Sequence, residues 1–150
     1  MEPDGRAAVK VVVRVRECTR IADAFSAGKD GKSVIIRQSK TDLTDNKPKD
    51  ESELLQFNCH AVLNNASQER TFDVVGKPAI DAVLAGYNGT VLCYGQTGAG
   101  KSFTMVGSRD NYHQRGVAAR AIGHAFHESA NRTADEYIFR FSCLEIYNDQ

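Results

Sequence analysis

Apolar residues change their spacing several times along this chain, and each change marks an element. From Val9 to Val15 the period is two: Val9, Val11, Val13 and Val15 share one side, Lys10, Val12 and Arg14 the other. Four β-branched residues on one side argue for a strand that buries that face, with Arg14 and Arg16 projecting together elsewhere. A second short strand is expected over Ser33–Gln38, after the turn Lys29-Asp30-Gly31-Lys32. Lys40–Ser52 is polar and charged around Pro48, which reads as an exposed loop. Phe72–Ala85 reads as a helix with Val75, Ala79, Val83 and Leu84 on one face and Gly86 just past its end. Thr90–Tyr94 is a short apolar run of strand type, and Ser102–Met105 can open a helix. Ser108–Gln114 is a polar connection. Val117, Ala118, Ala121, Ile122, Ala125 and Phe126 then recur at helical spacing. Tyr137–Tyr147 alternates again, with Phe139, Phe141 and Cys143 against Arg140 and Ser142. Strands alternating with helices predict an α/β fold, a mainly parallel central sheet flanked by helices, with its site at the strands' C-terminal ends. Residues 1–8 read as a flexible tail, and 9–150 as one domain.

Composition narrows the partners. The 150 residues are enough for a single core, and 19 basic against 19 acidic residues give a net charge of zero. No global field draws the chain to nucleic acid or to a membrane surface, and the basic residues are scattered. No apolar run approaches membrane-spanning length, and the N-terminal residues lack the apolar stretch of a secretory signal. Neither nucleic acid nor membrane is expected as a partner. Cys18, Cys59, Cys93 and Cys143 show no C-x-x-C pairing and are expected as buried free thiols. In that setting the sequons at Asn65, Asn88 and Asn131 are expected to stay unmodified.

The most informative stretch is Gly95-Gln96-Thr97-Gly98-Ala99-Gly100-Lys101-Ser102, which reads G-x-x-x-x-G-K-[ST]. Glycines at its start and before the lysine let backbone wrap a polyphosphate with N–H groups turned inward. Thr97 and the backbone of Gln96 to Gly100 are the expected phosphate contacts. Lys101, the candidate catalytic residue, supplies a point charge for the outer phosphates. Ser102 offers a hydroxyl to Mg²⁺. A strand-type run before the loop and a helix opening after it are the context such a phosphate loop requires.

The wider framework resembles the kinesin motor domain. Gly86-Tyr87-Asn88-Gly89-Thr90, then Tyr94 to Ser102, then Thr104-Met105 and Gly107 match the phosphate-loop region of that family. Val11 to Arg16 resembles its first strand. Phe57, Val62, Ala66-Ser67-Gln68-Glu69 and Phe72 resemble the approach to the preceding helix. Arg115-Gly116-Val117 with Arg120-Ala121-Ile122 resembles the following helix, and Leu144-Glu145-Ile146-Tyr147-Asn148-Asp149 the L-E-I-Y-N-E strand. Asn111 to Gly116 leans towards the branch associated with cilia and flagella. The resemblance implies an ATP- or ADP-binding, Mg²⁺-dependent motor acting on microtubules at the cytoplasmic cytoskeleton, with dimerisation through a coiled coil outside these residues. It implies that Arg14 and Arg16 approach the base and that Phe103, usually His in the family, stacks on it. The family's R-x-R is followed by proline; here Glu17 follows, placing a carboxylate near a polyanion.

Two switch segments of the family, N-x-x-S-S-R and D-x-x-G, are needed for hydrolysis and force. No Ser-Ser-Arg occurs in these residues, and no D-x-x-G after Met105. The expectation is therefore the nucleotide-binding N-terminal part of a motor domain, with the switches and filament-binding elements outside it. A non-motor nucleotide-binding adaptor and a different P-loop NTPase or kinase are the competing readings. His124 and His127 with Glu128 lack H-E-x-x-H spacing and read as polar helix residues. Glu145 and Asp149 lack Walker-B context and read as structural.

Overall fold

The computed structural model describes residues 9–16, 25–41, 48–132 and 136–147, with 39–41 and 48–52 as backbone only. Residues 1–8, Glu17 and Cys18 lie outside them. Strand β1, Val12–Val15, pairs in parallel with β5, Ala61–Asn64, in the register Val12 to Ala61 and Arg14 to Leu63. Between them β2, β3 and β4 (Phe25–Ala27, Ser33–Thr41, Pro48–Asn58) form an antiparallel sheet in the order β2-β3-β4. Asp30 shapes the β2–β3 turn: its carboxylate accepts the Lys32 N–H and the Ser33 hydroxyl, both at 2.9 Å. The β2–β3 turn docks on the parallel pair through Val62 N–H to Gly31 O, and Cys59 N–H to Lys32 O extends the β3–β4 pairing, each at 2.7 Å.

Two expectations are corrected here. Ser33–Gln38 is the core of a longer strand reaching Thr41, and the stretch expected as a loop over Lys40–Ser52 contributes to both β3 and β4. Its polarity does not oppose strand formation, because β4 is held by its ladder to β3: Leu54 and Phe57 are exposed, as are Glu53 and Gln56. A strand open to solvent shows no inside–outside alternation to read.

The helix expected over Phe72–Ala85 begins four residues earlier and is not uniform. Ser67 caps α1 (Gln68–Thr71), its hydroxyl accepting the Arg70 N–H at 3.0 Å. A π-turn, Phe72–Gly76, follows, with Lys77 N–H reaching Phe72 O, and then α2, Lys77–Leu84. Pro78 near the start of α2 brings no N–H, and the hydrogen-bond register is reset just before it. At the far end, Gly86 (φ +91) gives its N–H to Val83 O and Tyr87 to Ala82 O, both at 2.9 Å. This is a Schellman closure at the glycine expected to end the helix.

Helix α3 spans Lys101–Met105, and α4, Val117–Ala130, packs against the π-turn and α2. Gly76 makes that approach possible, since a Cβ there would press on the Phe72 ring and Val117. Val117, Phe72, Leu63 and Val34 are the buried apolar side chains among the described residues. Each contributes about 1.5–3 kcal/mol by leaving water.

Thr90–Tyr94 and Tyr137–Tyr147 were expected as central strands. Both are unpaired. Leu92, Tyr94, Phe141 and Leu144 are exposed, as are Ile122 and Phe126 on the predicted apolar face of α4, although Phe126 stacks on Phe139 with centroids 4.3 Å apart. The helices are in place, but β1–β5 is the one parallel pair formed among the described residues. Cys143 is exposed, against the expectation of a buried thiol, while Cys59 and Cys93 are half-buried.

Candidate nucleotide site

The segment Gly95–Gly100 is a tight loop ending in α3. Ala99 N–H closes a turn on Gln96 O at 3.1 Å, and Gly98 (φ +79) and Gly100 (φ +97) adopt left-handed backbone that an L side chain would strain. The first helical bond of α3 runs from Thr104 N–H to Gly100 O at 2.8 Å. The N–H groups of Lys101, Ser102 and Phe103 therefore have no helical acceptor. Thr97, Gly98, Gly100, Lys101, Ser102 and Phe103 line one cavity of about 290 Å³. It unites donors, one cation, two hydroxyls and a half-exposed aromatic ring, a set that suits a polyanion attached to a flat heterocycle. Gln96 and Ala99 shape the loop through their turn and do not line the cavity.

Lys101 turns its ammonium onto the loop itself, donating to Gly95 O at 2.8 Å and Gln96 O at 3.0 Å. Ser102 is exposed at the cavity wall beside Lys101, and its hydroxyl is an oxygen ligand of the kind a hard cation takes. That single ligand fits Mg²⁺ held mainly by phosphate and water.

Arg14 reaches the site from β1. Its Nη1 donates to Thr104 Oγ1 at 2.8 Å and to Gln68 Oε1 at 2.9 Å, and Nη2 donates to Ala66 O at 3.2 Å. The guanidinium carbon stands 5.7 Å from the centroid of Phe103. Burial lowers the Arg14 pKa from its usual value and raises that of the nearby Cys93 thiol, each charge partly offsetting the other's shift. Arg16, just past β1, is exposed. The residue that sequence reasoning passed over is Gln68. It is 4% exposed and joins Arg14 to the carbonyls of Phe103 (2.6 Å) and Gln114 (3.1 Å). A polar residue directly behind the Ser67 cap was the available signal.

The connection from α3 to α4 is closed by backbone. Gly116 N–H meets Val106 O at 2.8 Å and Ser108 N–H meets Gln114 O at 2.9 Å, around a bridge between Gly107 and Arg115. A second cavity, of about 300 Å³, lies between the π-turn and α4. Its Arg120 is committed to Arg115 O and His113 O. His124, beside it, bonds Asp81 at 2.7 Å and meets the Phe72 ring edge-on.

A glycine-bent loop running into a helix that begins with Lys-Ser, in an α/β frame, defines a P-loop NTPase-type domain. The Kinesin motor domain family model matches residues 12–150, and the chain belongs to that family. It is 41% identical to kinesin-like protein KLP1 of Chlamydomonas reinhardtii over 143 residues, and 39% identical to mouse kinesin-like protein KIF9 over 148. These alignments cover 95% and 96% of this chain but 18% of each relative. A solved structure reported as "Structure of a fast kinesin: Implications for ATPase mechanism and interactions with microtubules" superposes with a TM-score of 0.64 at 33% identity, over 80% of this chain and 32% of that one. The chain thus spans under a fifth of the curated relatives it matches.

Proposed function

We propose that these residues form the ATP-binding part of a microtubule motor, in which Gly95–Ser102 holds the phosphates of Mg-ATP or Mg-ADP. The observation that carries the reading is the cavity shared by Thr97, Gly98, Gly100, Lys101, Ser102 and Phe103, within a chain of the kinesin family. Lys101 exchanges its two neutral carbonyl acceptors in the loop for anionic phosphate oxygens, so that both partners of the contact are charged. Ser102 contributes its hydroxyl to the metal, and Phe103 presents its ring to the base with Arg14 behind it. Arg16 stands free to approach the same ligand from the end of β1. A bound Mg²⁺ would neutralise charge developing between the outer phosphates. Microtubules are the proposed filament partner of the whole motor, and the character of Asn111 to Gly116 supports a ciliary or flagellar setting.

The test is Lys101→Ala, assayed by titration calorimetry with Mg-ATP and Mg-ADP. Binding should fall below detection while the thermal midpoint changes little, because the ammonium bonds only the loop. Unchanged affinity overturns the assignment.

A further inference from the structure

We propose that Gln68 is a positioning residue of the nucleotide site, acting on the base through Phe103. The inference rests on the nucleotide reading above but assigns a role to a side chain that does not line the cavity. The orientation of the Gln68 amide is fixed by its neighbours. Two carbonyls, of Phe103 and Gln114, face one end, and the Arg14 guanidinium faces the other. With the amide reversed, its oxygen would face two acceptors and its NH₂ a cation, so one orientation alone satisfies every group. At 4% exposure, an unmet partner would be costly.

These bonds tie the helix that follows the phosphate loop to the paired frame. Gln68 opens α1 behind the Ser67 cap, and Arg14 lies in the β1–β5 pair. The segment entering the loop, Thr90–Tyr94, has no strand partner. Among the described residues, hydrogen bonds from the β1–β5–α1 frame to α3 run through Arg14 and Gln68 alone. Phe103 is therefore held twice: its carbonyl by the Gln68 amide at 2.6 Å and its ring beside Arg14, which Gln68 also anchors. The phosphate-facing groups are shaped by the loop's own bonds and do not depend on Gln68. Loss of Gln68 should then disturb recognition of the base more than that of the phosphates.

The experiment measures Kd for Mg-ATP and for inorganic tripolyphosphate with the 150-residue chain and its Gln68→Met, Gln68→Glu, Phe103→Ala and Gln68→Met/Phe103→Ala variants. Met keeps length without hydrogen bonds; Glu keeps the acceptor for Arg14 and removes both donors. Each Gln68 variant should weaken ATP binding about fivefold and change tripolyphosphate binding by less than about twofold. The double variant should bind ATP no more weakly than Phe103→Ala, because both changes act on one ring. Parallel losses for the two ligands, no loss for either, or full additivity in the double variant would overturn the proposal. Should Gln68→Met fail to fold, the Gln68→Glu ratio of the two ligands decides alone. Failure of the unaltered chain to bind either ligand overturns the nucleotide reading itself, and this inference with it.

Discussion

Phe103 occupies the position where the phosphate loop meets the frame, so its ring and its carbonyl do different work. The carbonyl is tied to Gln68, while the residue remains 46% exposed and lines the cavity. Removing the ring should cost ATP about 1 kcal/mol and leave inorganic triphosphate unaffected, measured as the difference between two calorimetric titrations. If its hydroxyl serves the metal as proposed, Ser102→Ala should weaken binding when Mg²⁺ is present and have little effect in EDTA. The thiols offer an independent check on this neighbourhood. Burial pushes the Cys93 thiol up, with Arg14 opposing the shift, whereas Cys143 is exposed. At neutral pH Cys93 holds less thiolate, so Cys143 should alkylate first with iodoacetamide, followed by timed mass spectrometry. Equal rates at the two positions would contradict the partial burial of Cys93 near Arg14.

At the scale of elements, the helices were legible because their signals are local. Gly86 ends α2 at the predicted residue, and the Val117 periodicity gives α4. The strands were not, for two reasons. None of the described side chains of β4 is buried, so no alternation marks this strand in the sequence. Thr90–Tyr94 and Tyr137–Tyr147 carry strand patterns, but a pattern becomes a strand only when a neighbour pairs with it. The site followed the same rule: the loop's identity was plain in eight consecutive residues, whereas Gln68 matters through contacts 35 and 54 positions away. The α3–α4 connection supplies the sharpest element-level test. Gly107 has φ +75, and a Cβ there would overlap the Gln114 carbonyl and the Gly116 N–H. Gly107→Ala should therefore destabilise the chain by on the order of 2–3 kcal/mol, read as a lowered urea midpoint. Gly123→Ala is the control: it faces open space on α4 and should be neutral or slightly stabilising.

For the molecule as a whole, the exposed apolar residues are arranged in rows rather than scattered. Leu92 and Tyr94 in one extended segment, and Phe141 with Leu144 and Ile146 in another, present unpaired backbone beside apolar side chains. Such edges recruit further strands, so the 150-residue chain should self-associate at micromolar concentration, visible in light scattering. Catalysis in P-loop NTPases depends on positioning and charge around the γ-phosphate, and the residues that orient water are expected in switch segments, of which no Ser-Ser-Arg occurs here and no D-x-x-G after Met105. These 150 residues alone should then show no microtubule-stimulated ATPase. Joining them to the remainder of a related kinesin motor domain would supply further strands and the switch segments of that family. That chimera should lose its tendency to associate, hydrolyse ATP, and co-sediment with microtubules in a nucleotide-dependent manner. Microtubule-stimulated turnover by the short chain would refute the assignment of catalysis to segments beyond it. A folded chimera that binds ATP without turning it over would show that this nucleotide site has departed from motor function.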